Sequence, residues 1–158
     1  MKHTVIGYEC DIDTGDASPI SCRNVNYGPR ESKVMENHIS VLVQTKNSYQ
    51  ISYSRWMSKR LLAPKPHQET VYDIVDFKWR FCVNYIKLNQ VMLVMISPIP
   101  RCDNASMYEF GNGRFYLLLD CPMGYHQVEV NARSREKLAI PGPNTSMYTY
   151  RVIPFGTG

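Results

Sequence analysis

The feature that most constrains the fold is a run of five consecutive apolar or aromatic residues, at positions 115–119, that ends in Asp120. This composition predicts a buried β-strand over 114–120. Such a strand would present a carboxylate at its end, beside a glycine-containing turn at 121–124. That arrangement is a common way to hold a metal ligand on a rigid scaffold. On these residues alone the simpler role, capping of the turn, is favoured, because Asp is frequent in turns.

The clearest helix signal lies near the start of the chain. Pro29 suits the first position of a helix, and Glu31 in the first turn interacts favourably with the helix dipole. We therefore predict a helix over 29–46, ended by Lys46 and Asn47. Its apolar residues share one face: Val34, Met35, Ile39, Leu42 and Val43.

The rest of the chain predicts short strands and helices. Pro64 and Pro66 exclude a helix from the extended segment after residue 48, and the β-branched and aromatic residues of 71–89 predict a hairpin. Further elements are predicted in the order helix, strand, strand, helix and strand, at 102–112, 114–120, 125–130, 131–140 and 147–155, with PGPN (141–144) as a turn before the last strand. This mixture predicts the α+β fold class.

Net charge and cysteine usage limit the classes of function. The formal net charge of +4 permits a nucleic-acid partner without requiring one. The five cysteines are odd in number and form no Cys-x-x-Cys pair, which predicts reduced thiols in an intracellular protein of the cytoplasm or nucleus, not a secreted one. The longest apolar runs, such as 91–96, are too short to span a bilayer, so we expect no membrane partner.

Five segments occur in the order and approximate spacing seen in reverse transcriptases of gypsy-type LTR retrotransposons: WRFCVNYIKLNQV (79–91), PIPRCD (98–103), FYLLLDCPMGYHQVEV (115–130), SREKLAI (134–140) and YTYRVIPFG (148–156). The chain resembles this family from about residue 3 to its last residue. The resemblance implies reverse-transcriptase-like fingers with an incomplete palm, in which short helices pack on an antiparallel sheet. The implied regions are an extended N-terminal arm at 1–28, a fingers-like region at 29–101 and a partial palm at 102–158.

The resemblance also implies a site for two-metal nucleotidyl transfer within a retrotransposon polyprotein. Asp120 matches the first carboxylate that holds Mg²⁺ in this family, and the carbonyl of Cys121 matches a further metal ligand. The backbone around Met123 and Gly124 would lie under the incoming deoxynucleoside triphosphate, where a small residue lets phosphate approach. The implied partners are an RNA/DNA template–primer and that triphosphate.

Three further side chains match nucleotide-binding positions of the family. Tyr125 matches the aromatic steric gate that excludes a 2′-hydroxyl, and Phe155 lies in the turn beside nucleotide and template. Arg80 matches the fingers arginine, whose planar fork suits bidentate phosphate binding. Ordinary core packing for the two aromatic residues, and a solvated strand position for Arg80, are the alternatives.

The chain also departs from the family pattern. Asn84 and Ile86 stand where the family usually has Asp and Arg. Reverse transcriptases need a Tyr-x-Asp-Asp motif beyond the first acid, yet the sequence contains none, and it ends at Gly158, 38 residues after Asp120. With one carboxylate the two-metal cluster is incomplete, so we predict no polymerase activity for the isolated chain.

Two other functions are open on the sequence. The first is a non-catalytic remnant that binds nucleic acid through its basic and aromatic surface. The second, less favoured, is a retroviral-type aspartic protease, because Asp13-Thr14-Gly15 spells the protease triplet. Asp11 and Asp16 stand against the protease, since two more charges beside a catalytic pair would be costly to bury.

Overall fold

The computed structural model describes residues 7–23, 25–64, 79–93, 114–117, 119–121 and 123–158. In chain order the elements are β1 (Glu9–Cys10), α1 (Pro29–Gln44), β2 (Ser48–Ile51), β3 (Lys59–Pro64), β4 (Trp79–Asn84), α2 (Ile86–Val91), a first 3-10 helix (Gly124–Gln127), β5 (Glu129–Val130), a second 3-10 helix (Arg135–Leu138), β6 (Ile140–Pro141) and β7 (Met147–Tyr150). Helices and strands are mixed, so the predicted α+β class is confirmed. Across these ranges no helix is long and apolar enough to cross a membrane.

Helix α1 begins at the predicted proline and ends two residues before the predicted boundary. Lys46 adopts a left-handed conformation (φ 61°), and the Asn47 N–H donates to the Leu42 carbonyl over 3.0 Å. This arrangement satisfies carbonyl groups that a helix end would otherwise leave without donors. Met35 and Ile39 are the buried residues of the predicted apolar face.

The described strands form three small sheets. Strands β2, β7 and β6 make an antiparallel sheet, with Ser48 opposite Tyr150. Strands β3 and β4 make an antiparallel pair in which Leu61 lies opposite Cys82, and β1 pairs with β5 in parallel. The strands are short, so packing between the sheets must contribute much of their stability.

One hydrophobic core joins these sheets. The Tyr85 side chain is fully buried in it, and its hydroxyl donates to the Leu138 carbonyl over 3.3 Å. Burial, with a smaller effect of Tyr150, raises the pKa of Tyr85, so the hydroxyl stays protonated and available as a donor. The buried members of the core are Ile12, Trp56, Tyr85, Leu88, Val130, Leu138, Ile140 and Tyr150.

The N-terminal segment is packed against the C-terminal half of the chain. Its described residues include the short strand β1, and Ile12 is only 1% exposed. The Ile12 N–H donates to Ser134 Oγ over 3.0 Å, and Lys137 Nζ donates to the Ile12 carbonyl over 2.6 Å. The Ser134 hydroxyl in turn donates to the Asp11 carboxylate. The side chains of Ser134, just before the second 3-10 helix, and of Lys137, within it, therefore hold this segment through its backbone groups and the Asp11 carboxylate.

Helix α2 begins at Ile86 and so replaces the last four residues, 86–89, of the hairpin predicted over 71–89, and that part of the prediction is wrong. Strand β4 pairs with β3, while the other predicted strand of the hairpin, at 74–77, lies outside the described residues. The Asn84 side chain accepts the Ile86 N–H over 3.0 Å and so satisfies one of the free donors at the start of the helix. Leu88 is then buried on the inner face.

The buried strand predicted over 114–120 is also wrong at the positions that the structure describes. Phe115 is 95% exposed, Leu117 84% and Leu119 81%. A strand needs a neighbour to accept and donate its backbone hydrogen bonds, and no described strand pairs with this segment. Composition alone does not make a strand where the neighbour is missing.

The later elements are shorter than predicted. The strand expected over 125–130 is a 3-10 helix followed by the two residues of β5, and the helix expected over 131–140 is the second 3-10 helix. The predicted turn before the last strand is confirmed: Asn144 and Thr145 have φ of 48° and 62°, and they connect β6 to β7. The helix predicted over 102–112 lies outside the described residues.

The contrast between core and exposed leucines gives a stability test. We expect Leu138→Ala to lower the free energy of unfolding by about 2–5 kcal/mol, because it opens a cavity in the core. The same change at Leu119 removes an exposed side chain and should cost less than about 0.5 kcal/mol. Urea unfolding of both variants measures the difference, and equal losses would mean that residue 119 is packed in a core.

Candidate functional site

The site begins with a tight turn after Cys121. Met123 has a left-handed backbone conformation (φ 53°, ψ 44°), and the His126 N–H donates to the Met123 carbonyl over 2.8 Å at the start of the first 3-10 helix. A Cβ placed on Gly124 would lie 3.9 Å from the Cβ of Cys121, which is ordinary contact. The fold itself therefore tolerates a larger residue at 124, and the close approach of phosphate there stays a prediction.

Two predicted nucleotide-binding residues are brought together by the fold. The rings of Tyr125 and Phe155 meet edge to face, with centroids 5.2 Å apart and planes at 63°. His126 contacts the same Phe155 ring, at 5.1 Å between centroids. Tyr125 and Phe155 are each 54% exposed, so about half of each side chain remains open to solvent. These three rings form what we call the aromatic cluster.

His126 was not singled out from the sequence, although it follows Tyr125 directly in GYHQ. Its Nδ1 is buried without a hydrogen-bond partner among the described residues. Burial lowers the pKa of His126 below its usual value of 6.5. The ring is therefore neutral at physiological pH and can pack against Phe155 as an aromatic group.

The turn that contains Phe155 is attached to helix α2. Asn89 Nδ2 donates to the Gly156 carbonyl over 2.8 Å, and the Gly158 N–H donates to Asn89 Oδ1 over 3.4 Å. Gly156 has φ +88°, a conformation that side chains rarely adopt, and a Cβ there would lie 3.9 Å from the Val83 carbonyl oxygen. Sequence analysis missed Asn89, which lies within the matched segment 79–91 but carries no charge or ring to attract notice.

Asp120 and Cys121 lie at the edge of this turn and are both exposed. The rigid strand expected to display Asp120 is absent, so the carboxylate follows a segment without a paired neighbour. Nowhere in the described ranges do three or more His, Cys, Asp or Glu side chains come together as a metal-binding group. Asp120 fits the role of one ligand, and the predicted two-metal site stays incomplete in these residues.

Arg80 lies on the exposed face of β4, opposite Ala63 of β3. Arg80 lies three residues before Val83, a separation of about 10 Å along a strand. The carbonyl of Val83 in turn lies beside Gly156. Among the described residues no ion pair joins Arg80 to Asp120. The fold thus brings Tyr125 and Phe155 into contact, and it places Arg80 on the strand beside their turn without a direct contact.

The protease triplet has a structural role. Asp13 is exposed, and its carboxylate accepts the Gly15 N–H over 2.8 Å, while the Asp13 carbonyl accepts the Leu93 N–H over 2.9 Å. These contacts form a self-capped turn that ties the N-terminal segment to the end of α2. A protease aspartate must instead be buried beside a second one, so the geometry gives this alternative no support.

The chain has sequence relatives among mobile genetic elements, although no protein-family model matches it. It is 26% identical over 149 residues to the retrovirus-related Pol polyprotein from transposon 412 of Drosophila melanogaster. It is 28% identical over 152 residues to the corresponding polyprotein from transposon opus of the same organism. Each alignment covers 94% of this chain, but only 12% and 14% of the polyproteins.

The fold is also found in solved structures. The foamy viral protease-reverse transcriptase in complex with dsDNA matches 98% of this chain with a TM-score of 0.67 and 14% identity, over 28% of its own length. The native prototype foamy virus protease-reverse transcriptase matches 94% with a TM-score of 0.66 and 16% identity, over 18% of its length. The chain is thus similar in sequence to retrotransposon Pol polyproteins and in fold to reverse transcriptases.

The chain spans only a small share of the proteins it matches, at most 28% of those named above. The reverse-transcriptase-like α+β fold predicted from the sequence is confirmed, and the Pol polyprotein relatives support the predicted family. The gypsy-type subclass and the boundaries at residues 28 and 101 stay predictions. So do the individual roles of the site residues.

The backbone at Met123 gives a second stability test. A left-handed conformation costs a residue with a Cβ about 1–2 kcal/mol, and a β-branched side chain suffers most. We expect Met123→Gly to keep or slightly raise the free energy of unfolding, and Met123→Val to lower it by about 1 kcal/mol or more. Met147→Val, in strand β7, is the control in which branching is compatible with the backbone. A loss at Met123→Gly that equals the loss at Met123→Val would contradict the assigned conformation.

The lowered pKa of His126 makes stability depend on pH. As pH falls below about 6.5, the unfolded chain binds a proton before the folded chain does, so the folded state loses stability relative to its value above that pH. We expect the free energy of unfolding of the fragment to fall between about pH 7.5 and 5. His126→Phe, which keeps an aromatic ring, should reduce this fall. Identical pH profiles for the two proteins would exclude His126 as the source.

Proposed function

We propose that this chain is part of a reverse transcriptase, that it forms the nucleotide-contacting surface of this RNA-directed DNA polymerase, and that it carries the first metal-binding carboxylate. The observation that supports this most is the contact between Tyr125 and Phe155. These residues come from two matched segments, and they meet on an exposed surface instead of in the core. Core packing, the alternative for both rings, would leave them buried.

The geometry suits selection of the sugar. Edge-to-face aromatic contacts are worth about 0.5–1.5 kcal/mol beyond the area that they bury, so Phe155 restricts the orientation of the Tyr125 ring. A ring held in one orientation can exclude a 2′-hydroxyl by contact, whereas a freely rotating ring could move aside. The exposed half of each ring is open to the sugar and base of a bound deoxynucleotide.

Asp120 would hold one magnesium ion, and the Cys121 carbonyl would be a second ligand on the same ion. Magnesium prefers oxygen ligands, and an exposed carboxylate followed directly by a backbone carbonyl offers two of them. When bound, the ion neutralises phosphate charge during nucleotidyl transfer. Other carboxylates must complete the cluster, because this chain contains no Tyr-x-Asp-Asp motif.

Arg80 would bind the triphosphate, since it is exposed on β4 and its strand passes beside the Phe155 turn. A template–primer is the proposed macromolecular partner. A neighbour in fold was solved with an RNA/DNA hybrid and another with dsDNA, and the net charge of +4 has the sign that nucleic acid requires. Four described cysteines are free thiols, which supports a site of action inside the cell in a gypsy-type element.

Nucleotide binding by the isolated chain tests the proposal. With Mg²⁺ present we expect dATP to bind more tightly than ATP, and Tyr125→Ala to reduce that preference by about tenfold, the range of one aromatic contact of 0.5–1.5 kcal/mol. Tyr53→Ala is the matched control, because Tyr53 is 74% exposed and lies outside the matched segments. Asp120→Asn should remove the dependence on Mg²⁺, with Asp16→Asn as its control. Equal effects of the Tyr125 and Tyr53 changes would refute the proposal.

Primer extension separates binding from catalysis. We expect no template-dependent incorporation by the isolated chain with Mg²⁺, because one carboxylate cannot hold two metal ions in place. Salt-dependent binding of an RNA–DNA hybrid without incorporation is the expected result, and it also describes the non-catalytic alternative for this chain. Incorporation that Asp120→Asn abolishes would show that the cluster is completed in another way.

A further inference from the structure

We infer that Asn89 is a positioning residue that couples helix α2 to the aromatic cluster. Its side-chain amide is used at both ends: Nδ2 donates to the Gly156 carbonyl over 2.8 Å, and Oδ1 accepts the Gly158 N–H over 3.4 Å. An amide can donate and accept at once, so this one side chain is hydrogen-bonded to two backbone groups of the turn. The part of this inference that concerns nucleotide selection rests on the proposed function.

The support under Asn89 is rigid. Its own N–H donates to the Tyr85 carbonyl over 2.8 Å, and the neighbouring Leu88 is 2% exposed. Tyr85 is fully buried, and its hydroxyl is hydrogen-bonded to the Leu138 carbonyl. The core therefore fixes the backbone of α2 at residue 89, and this gives the Asn89 side-chain amide a defined position.

The turn on the other side packs through the buried Pro154 and through Phe155, but it makes few other hydrogen bonds. The Ile153 N–H makes the last backbone bond to a neighbouring segment, donating to the Val128 carbonyl over 3.0 Å. Past that point Thr157 Oγ1 bonds within the turn, to the Pro154 carbonyl over 3.1 Å. In the described part of the chain, the hydrogen bonds that join residues 154–158 to another element both involve Asn89.

Loss of the Asn89 hydrogen bonds would affect the aromatic cluster through Phe155, which directly precedes Gly156. Phe155 contacts both Tyr125 and His126, so a turn that drifts away from α2 removes the contact that orients Tyr125. Gly156 has a φ of +88°, a backbone conformation that other residues seldom adopt, and its carbonyl accepts the Asn89 amide in this conformation. This pair of hydrogen bonds therefore requires both a glycine at position 156 of the turn and an amide side chain at position 89 of the helix.

Hydrogen exchange of the whole 158-residue chain tests the coupling without any ligand. We expect Asn89→Ala to speed exchange both in the turn, at 154–158, and in the first 3-10 helix, at 124–127, with little change in the urea midpoint. Asn89→Asp keeps the shape and the acceptor but loses the donor to Gly156, so it should act like Asn89→Ala. Asn89→Gln keeps both groups and should restore part of the protection. Gln90→Ala, on the exposed side of the same helix, is the control and should change nothing.

Nucleotide selectivity provides the second measurement. We expect Asn89→Ala to lower the preference for dATP over ATP about fivefold, the equivalent of one hydrogen bond of about 1 kcal/mol. Faster exchange confined to 154–158, with 124–127 and the selectivity unchanged, would overturn the inference. If the parent chain showed no preference for dATP, the proposed function would fail, and exchange at 124–127 would still decide whether Asn89 couples the helix to the cluster.

Discussion

The hydrogen bond from the buried Tyr85 hydroxyl to the Leu138 carbonyl supports the rest of the structure. It joins the segment between β4 and α2 to the second 3-10 helix, inside a core that also contains residues from the N-terminal segment and from β7. A tyrosine buried this deeply would be costly without a partner for its hydroxyl. Its position therefore fixes the relative placement of these elements.

The candidate nucleotide surface lies outside that core and depends on it indirectly, through the elements that the core holds. Its residues lie in a 3-10 helix and a glycine turn, which have few hydrogen bonds of their own. Such elements keep a defined geometry only when a packed scaffold holds them, and here the Asn89 amide links the glycine turn to helix α2. Binding residues on loops placed by a rigid framework are a general arrangement, because loops can approach a ligand that strands and helices cannot.

Asp120 stands in a different physical setting from the aromatic cluster. The described apolar residues before it, Phe115, Tyr116, Leu117 and Leu119, are exposed, and no described strand pairs with them. Exposed apolar side chains in such a group are normally covered by another strand or another chain. Asp120 and Tyr125 thus belong to one matched segment, yet only Tyr125 is held by ring contacts that the structure describes.

The sequence by itself determined the features that depend on neighbours along the chain. Pro29 and the apolar face predicted α1, the PGPN turn predicted the link before β7, and the matched segments predicted the family. Tertiary structure decided whether an apolar segment has a strand beside it, so residues 115–119 were misjudged. It also decided that residues 86–89, expected in the hairpin, belong to helix α2. The contact between Tyr125 and Phe155 and the role of Asn89 likewise join residues 30 and 67 positions apart. Pairing over such distances depends on how the whole chain packs, and local propensity carries no information about it.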